Sequence, residues 1–209
     1  MKKTFVLVVL FILPLVAYMF FASGVNNFGK LPTLTEQVQD LDTFSPRETL
    51  SGKITILGFL GYDTELKKAN AFNLNQKIYK PFYEFRDFQM VMVMPRGTEG
   101  KVEELKKELS GLADIKNWKF IYGEDDQIKR FFNSLGTNLE LEDQLGSSYV
   151  FIIDKDRNLR GRDSDEDEGI KFGFDATSVA DLNNKMEDDV KVILAEYRLA
   201  LKKNNAQRE

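Results

Sequence analysis

The side chains on which most enzymes and metal sites depend are missing from this sequence. Its 209 residues include no cysteine and no histidine. Without cysteine there are no disulfides, zinc–thiolate sites or thiol nucleophiles, and without histidine the commonest acid–base catalyst near neutral pH is gone. Carboxylates remain, but no acidic pair has a recognisable catalytic spacing. We therefore expect no cofactor, and we rank a carboxylate-based enzyme below non-catalytic functions.

One acidic stretch resembles the start of a calcium loop. Residues 163–169 read DSDEDEG, with alternating carboxylates. An EF-hand loop requires glycine at its sixth position and a bidentate glutamate at its twelfth. Here glycine is seventh, at Gly169, and the twelfth residue is Phe174. We interpret 163–168 as a solvated acidic loop and leave open whether it binds a cation. The similar DKDRN run at 154–158 is explained by a hairpin turn.

Three methionines alternate along one apolar run. Met90, Met92 and Met94 would share one face of a strand, where their thioethers are possible ligands for copper. Methionine is also a common gap-filling residue in buried strands. We favour the core interpretation and predict no metal site.

The N-terminal segment predicts a membrane anchor. Lys2 and Lys3 precede an uncharged apolar run from about residue 4 to residue 22, long enough to cross a bilayer as a helix. The positive-inside rule places the N-terminus in the cytoplasm and the remainder outside. A cleaved signal peptide is the rival interpretation, although no small-x-small cleavage site closes the run. We predict a signal anchor at 1–24 and a linker at 25–33.

The remaining chain alternates apolar strands with amphipathic helices. Buried or half-buried strands are predicted from β-branched and aromatic runs at 53–60, 89–94, 118–122, 148–153 and, as a hairpin return, 159–162. Helices are predicted from apolar spacings of three and four residues at 64–82, 98–112, 125–135 and 179–201. A weaker alternation at 34–44 suggests an early hairpin. This order predicts an α/β sandwich around a mixed sheet, occupying 34–201 and followed by a polar tail at 202–209.

The order of elements resembles the thioredoxin fold, and in particular the Sco/SenC-like group of membrane-anchored copper chaperones. Four stretches carry the resemblance: residues 33–53, the strand and helix that begin at Ile54, the WKFIYGED segment at 118–125, and the hairpin from Tyr149 to Gly161. It covers about residues 32–200. The resemblance implies a thioredoxin-like sandwich with a central mixed sheet, preceded by one transmembrane helix.

The resemblance also implies where a metal site would lie, and this sequence lacks its ligands. The family's C-x-x-x-C motif follows the first core strand, where this chain has Gly61, Tyr62, Asp63, Thr64, Glu65, Leu66 and Lys67. The family's histidine precedes the Tyr149 strand, where this chain has Gly146 and Ser147. The thioredoxin-type proline at that place is missing as well. The resemblance therefore implies a kept scaffold with a degenerate active site.

Two surfaces are candidates for binding a partner. Tyr62, Asp63 and Thr64 begin the helix after the first core strand, where helix N-termini attract anions, although Asp63 or Thr64 can simply cap that helix. The segment 78–88 is unusually aromatic. Phe82, Phe85 and Phe88 belong either to the core or to an exposed patch that docks a partner.

These observations favour a non-catalytic binding or scaffold protein in the bacterial inner membrane, with its globular domain in the periplasm. Its expected partners are the membrane and an envelope protein. A nucleic-acid partner is not expected, because no basic stripe dominates any segment and the net charge is −4. The alternative is a chaperone-type assembly factor for a respiratory or envelope complex, and a carboxylate-based enzyme ranks third.

Overall fold

The computed structural model describes residues 10–16 and 30–206. Residues 10–16 are helical, and their leucine, isoleucine, valine and phenylalanine side chains are exposed. Within these two described ranges, no helix is both long enough and apolar enough to span a bilayer. Most of the predicted anchor at 1–24, residues 25–29 of the predicted linker at 25–33 and the end of the tail fall outside the described residues.

A mixed sheet forms the centre of the domain. Its main strands are β1 (Thr33–Thr35), β2 (Ile54–Phe59), β3 (Phe88–Pro95), β4 (Trp118–Gly123), β5 (Tyr149–Ile153) and β6 (Leu159–Arg160), in the spatial order β1-β6-β5-β2-β3-β4. Strands β2, β3 and β4 are parallel, whereas β5 runs antiparallel to β2, and β6 and β1 continue the antiparallel half. The helices between the parallel strands complete a thioredoxin-like α/β fold, as predicted.

Four helices flank the sheet. Helix α1 comprises Thr64–Leu74, a π-helical stretch at Asn75–Tyr79 and a last turn at Lys80–Phe82. Helix α2 is Glu99–Ser110, and α3 is Asp125–Asn133. Helix α4 comprises Val179–Asp181, a second π-helical stretch at Leu182–Met186 and Glu187–Ala206. These bounds match the predicted helices closely, except that Leu112 and Val179, which were expected on buried faces, are exposed.

Two cores lie on opposite faces of the sheet because side chains alternate along each strand. One face of β3 presents Met90, Met92 and Met94 to helices α1, α2 and α4. The other face presents Val91 and Val93 to α3 and the segment before β2. All three methionines are fully buried, which confirms the core interpretation.

Two predicted segments fold differently from expectation. The expected hairpin at 34–44 is wrong, because β1 pairs with β6 and is followed by a 3₁₀ turn at Leu41–Thr43. The acidic stretch is also more than a solvated loop. It belongs to a hairpin of β7 (Arg162–Asp165) and β8 (Gly169–Lys171), after which β9 (Phe174–Asp175) pairs with β5.

Ion pairs explain why the acidic hairpin packs against the domain. The Asp165 carboxylate is buried and accepts hydrogen bonds from Lys185 on α4, while Arg162 pairs with Asp189 of the same helix. Burial raises the pKa of Asp165, but the hydrogen bond and charge of Lys185, together with backbone hydrogen bonds from Asp167 and Glu168, outweigh it and lower the pKa to about 2. The carboxylates that sequence reasoning assigned to solvent therefore hold the hairpin to α4. The DKDRN turn at 154–158 forms as predicted, with Asp154 accepting backbone N–H groups.

Candidate functional site

The loop after β2 makes an unusually close approach to the loop before β5. Gly61 has φ +68°, and a Cβ at this position would lie 2.5 Å from the Gln144 carbonyl oxygen and 2.7 Å from the Gly146 nitrogen. The backbone N–H of Tyr62 donates to the Gln144 carbonyl at 2.9 Å, and that of Ser147 donates to Phe59 at 2.8 Å. Only glycine fits Gly61 both in conformation and in space.

The loop before β5 stores backbone strain. Gln144 has φ +67° and Leu145 has φ +60°, and the left-handed region is uncommon for residues other than glycine. The Leu145 side chain is nevertheless buried, which helps to hold this conformation. Such strain persists where surrounding structure over-determines it and often marks a functional position.

A partly buried ion pair joins α1 to the loop before β5. Lys67, on the first turns of α1, is 7% exposed. Its Nζ donates to Glu142 Oε2 at 2.5 Å and to Ser148 Oγ at 2.8 Å. The other carboxylate oxygen of Glu142 accepts the Ser148 backbone N–H at 2.7 Å. The pair thus links α1 to both ends of the segment before β5.

The hydrogen bonds of this constellation occupy both Lys67 and Glu142. Burial raises the pKa of Glu142, but the hydrogen bonds from Lys67 and Ser148 outweigh that effect and hold its pKa below the ordinary value of 4.5. A serine beside a lysine resembles a nucleophile and its base, yet that chemistry requires a neutral amine. Here the Lys67 amine donates hydrogen bonds to both the Glu142 carboxylate and the Ser148 hydroxyl, so the arrangement fits a structural clamp.

The same residues do not fit a copper ion. Cu(I) prefers thiolate or thioether ligands and Cu(II) prefers imidazole, whereas this place offers an ammonium, a hydroxyl and a carboxylate already bound to that ammonium. In the part of the chain that the structure describes, no cluster of three or more acidic side chains is arranged to hold a metal ion.

The surface beside the clamp is apolar at its centre and acidic around it. Leu66 is 71% exposed, a high fraction for a large apolar side chain. It borders a cleft of about 270 Å³ whose other lining residues include Asp63, Glu142 and Asp143. Tyr62 lies next to this cleft in sequence and is partly exposed. Its hydroxyl donates to Asp125 Oδ1 at 2.6 Å, and this bond raises the pKa of the phenol, which therefore stays protonated.

The predicted partner-binding residues at this end separate into two groups. Tyr62 and Asp63 reach the surface, and the Asp63 carboxylate accepts the Leu66 N–H, so it caps α1 as expected. Thr64 is buried, and its hydroxyl has no hydrogen-bond partner among the described residues. Direct contact between Thr64 and a partner is therefore excluded in this conformation.

The aromatic candidates are divided in the same way. Phe82 and Phe88 belong to the core, with their rings 6.1 Å apart. Only Phe85 is partly exposed, and it lies beneath the guanidinium of Arg198. The core interpretation is confirmed for Phe82 and Phe88, so of the three only Phe85 can contribute to a partner-binding surface.

Sequence reasoning missed Glu142 and Asp125 as members of this site. Glu142 is 75 positions from Lys67, and Asp125 is 63 positions from Tyr62, so no local sequence spacing predicts either pair. The available signal was indirect, since a lysine on the buried side of a helix requires a carboxylate partner.

Several solved structures resemble this one. BsSco, a member of the Sco family of cytochrome c oxidase assembly proteins, is 14% identical, with 77% of this chain and 92% of that chain covered and a TM-score of 0.48. The soluble domain of Sco1 from Bacillus subtilis is 17% identical, with 78% and 95% covered and a TM-score of 0.43. The thioredoxin domain of a thiol-disulfide oxidoreductase from Bacteroides vulgatus is 14% identical, with 79% and 98% covered and a TM-score of 0.43.

No protein-family model matches the sequence, and comparison with curated protein sequences finds no match. Sco proteins and thioredoxin-like oxidoreductases are thus the structural neighbours of a chain that has no cysteine. At these identities, the likeness concerns the fold alone.

Proposed function

We propose that this chain is a non-catalytic, thioredoxin-like binding protein, anchored in the bacterial inner membrane by residues 1–24 and facing the periplasm. The observation that carries the proposal is the Lys67–Glu142 clamp. It occupies the place where a thioredoxin-like protein would carry its reactive groups, and it holds an exposed apolar side chain beside it. Uninterrupted apolar sequence behind two lysines supports the anchor.

The binding surface is centred on Leu66 and Tyr62. A large exposed leucine surrounded by acidic groups is matched by a partner segment that presents an apolar side chain next to lysine or arginine. Asp63, Glu65 and Asp143 supply exposed negative charge around Leu66. The rigid loop pair beneath this surface keeps its shape before binding, which lowers the entropic cost of association.

A single-cysteine experiment tests the proposal, because the wild-type chain contains no other thiol. Leu66→Cys in the full chain is fitted with a photoactivatable crosslinker in native membranes. The matched control is Ile170→Cys, an apolar residue on β8 that is 50% exposed. We expect one defined adduct at position 66, suppressed by excess wild-type chain and absent at position 170.

Two further measurements make the outcome decisive. Leu66→Asp should dissociate the native complex, as seen on a non-denaturing gel. It should not lower the melting temperature, because the side chain is exposed. The intact N-terminal mass and resistance to alkaline extraction distinguish an anchor from a cleaved signal peptide. Identical adducts at both positions, or a chain that migrates alone at native abundance, would refute the binding role.

A further inference from the structure

A groove crosses the end of the domain opposite the Leu66 surface. It runs between the turn after α1 and the last turns of α4. The Arg198 guanidinium lies 5.8 Å from the centre of the Phe85 ring and divides the groove into hollows of about 290 and 360 Å³. Leu194, almost fully buried, contributes to the floor of both hollows.

The groove has a cationic rim. Arg86, Lys155, Lys191 and Arg198 line it, and Asp87 is the one acidic residue among those that line either hollow. Lys191 pairs with Glu187 at 3.0 Å and with Asp188 at 3.1 Å, so most of its charge is balanced within α4. The Asp87 carboxylate is already neutralised by Lys155 at 2.5 Å. Arg86 and Arg198 are exposed and form no ion pair with a described residue, so their charges are available to an external anion.

The chain enters the domain next to this groove. The backbone N–H of Leu31 donates to Glu196 on α4, two residues before Arg198. Arg160 donates to the Leu31 carbonyl and to the same glutamate, which fixes the connection. From the end of the apolar run near residue 22 to Leu31, the chain can extend by at most about 30 Å. An anchor at 1–24 therefore keeps this end of the domain near the bilayer.

We infer that the groove rests on anionic phospholipid headgroups and so fixes the orientation of the domain on the membrane. The inference rests on the proposed anchor. Arginine forks bind phosphate oxygens through paired N–H groups, and aromatic side chains such as Phe85 and Tyr197 suit the boundary between headgroups and acyl chains. Basic residues close to a membrane add attraction to anionic lipids.

This orientation has a consequence for the Leu66 surface. Ile54 begins β2 and lines one hollow of the groove, whereas Gly61 follows the other end of that strand. A docked groove therefore turns the Leu66 surface away from the bilayer, towards partners in the periplasm.

The test uses full chains with one introduced thiol, reconstituted into vesicles. Ala195→Cys places a spin label in the groove, and Leu66→Cys places one at the far end. The vesicles contain phosphatidylcholine alone or mixed with phosphatidylglycerol. On the mixed vesicles alone, we expect the groove label to become less accessible to a water-soluble relaxation agent and more accessible to oxygen. High salt should reverse both changes. The far label should stay in water on both.

Charge variants supply the matched comparison. Arg86→Glu with Arg198→Glu should abolish the groove-label change, because each lost cation lowers the docked fraction relative to the undocked fraction about fivefold. Lys107→Glu with Lys129→Glu changes the net charge equally at exposed positions outside the groove, and it should leave the change intact.

The remaining outcomes separate the inference from the anchor. A chain that stays in the vesicles while its groove label remains water-exposed on both lipids overturns the inference alone. A chain that leaves the vesicles in alkali overturns the anchor. Spin–spin broadening that grows with protein density in either lipid would identify a second copy of the chain as the occupant of the groove. Protection of the groove label from the water-soluble agent only when an acidic peptide is added would identify a protein as the occupant. Either result overturns the lipid assignment.

Discussion

Each end of the central sheet is secured by a buried cation, but the two clamps differ in their partners. At the end where the chain enters, Arg160 binds the Asp154 carboxylate, Glu196 and the Leu31 carbonyl, and every partner side chain is largely buried. At the opposite end, Lys67 binds Glu142 and Ser148, and the Glu142 side chain is 43% exposed. Arginine with several fixed acceptors is a rigid junction, whereas lysine with one half-exposed carboxylate leaves a surface open to contact.

The difference separates two tasks. The Arg160 junction connects Leu31, where the chain enters the domain, to α4. It therefore fixes the entering chain to the sheet. The Lys67 clamp lies beside the exposed Leu66 side chain, at the same cleft. Stability should therefore depend more strongly on the first clamp, and binding more strongly on the second.

Removing Arg160 should have the largest effect. Arg160→Met leaves Asp154 buried without its cation, and we expect a loss of about 3–5 kcal/mol in the free energy of unfolding. Urea denaturation measures it. Adding Asp154→Asn should recover part of the loss, since the uncompensated charge is then gone.

Arg96→Met is the control for the Arg160 substitution. Arg96 forms an exposed pair with Glu124, and such pairs contribute less than about 1 kcal/mol. Equal losses for Arg160→Met and Arg96→Met would contradict the contrast between a buried junction and a surface pair.

Two glycines that flank β2 compare the ends directly. Gly61→Ala forces an alanine into the left-handed region and brings its Cβ against the Gln144 carbonyl oxygen. We expect a loss of about 2–4 kcal/mol in the free energy of unfolding. Gly52 also has a positive φ, of +73°, but a Cβ there meets nothing within 4 Å. Gly52→Ala should therefore cost only about 1–2 kcal/mol. Losses of the same size would show that the loop contact at Gly61 adds no constraint.

Glu142→Gln should have a smaller and pH-dependent effect. At neutral pH we expect a loss of about 1–2 kcal/mol, because Lys67 loses its counter-charge while a hydrogen-bond acceptor remains. The pKa of Glu142 is lower in the folded chain than its ordinary 4.5, so the stabilisation is complete above that pH and disappears as pH falls through the folded value.

The pH dependence can be measured as a difference between two chains. The difference in unfolding free energy between wild type and Glu142→Gln should become smaller as pH falls from neutral to below 4.5. The Asp165 cluster destabilises both chains alike in acid, so it cancels from the comparison. A gap that stays constant would show that the Lys67–Glu142 pair contributes no charge-dependent stability.

The sequence predicts the scaffold better than the clamps. Strand and helix periodicity depends on neighbours in the chain, so β2, β3, β5 and the long helices were predictable from local pattern. The hairpin at 162–171 and the Lys67–Glu142 pair were not, because each depends on ion pairs between distant segments. The resemblance implies where a site would lie within the fold, but it does not show which contacts this chain makes there.

Copper should not bind at either end, and this is the smallest effect expected. In a Cu(I) titration against a competing chelator, the wild-type chain should leave the chelator fully loaded. The thioethers of Met90, Met92 and Met94 are enclosed in the core, and the ammonium of Lys67 repels a cation. Asp63→Cys with Lys67→Cys is the positive control, because both positions line the same cleft at the start of α1 and would supply two thiolates. If the wild-type chain takes up copper stoichiometrically while this variant behaves no differently, the ligands lie elsewhere, and the loop after β2 is not a lost metal site.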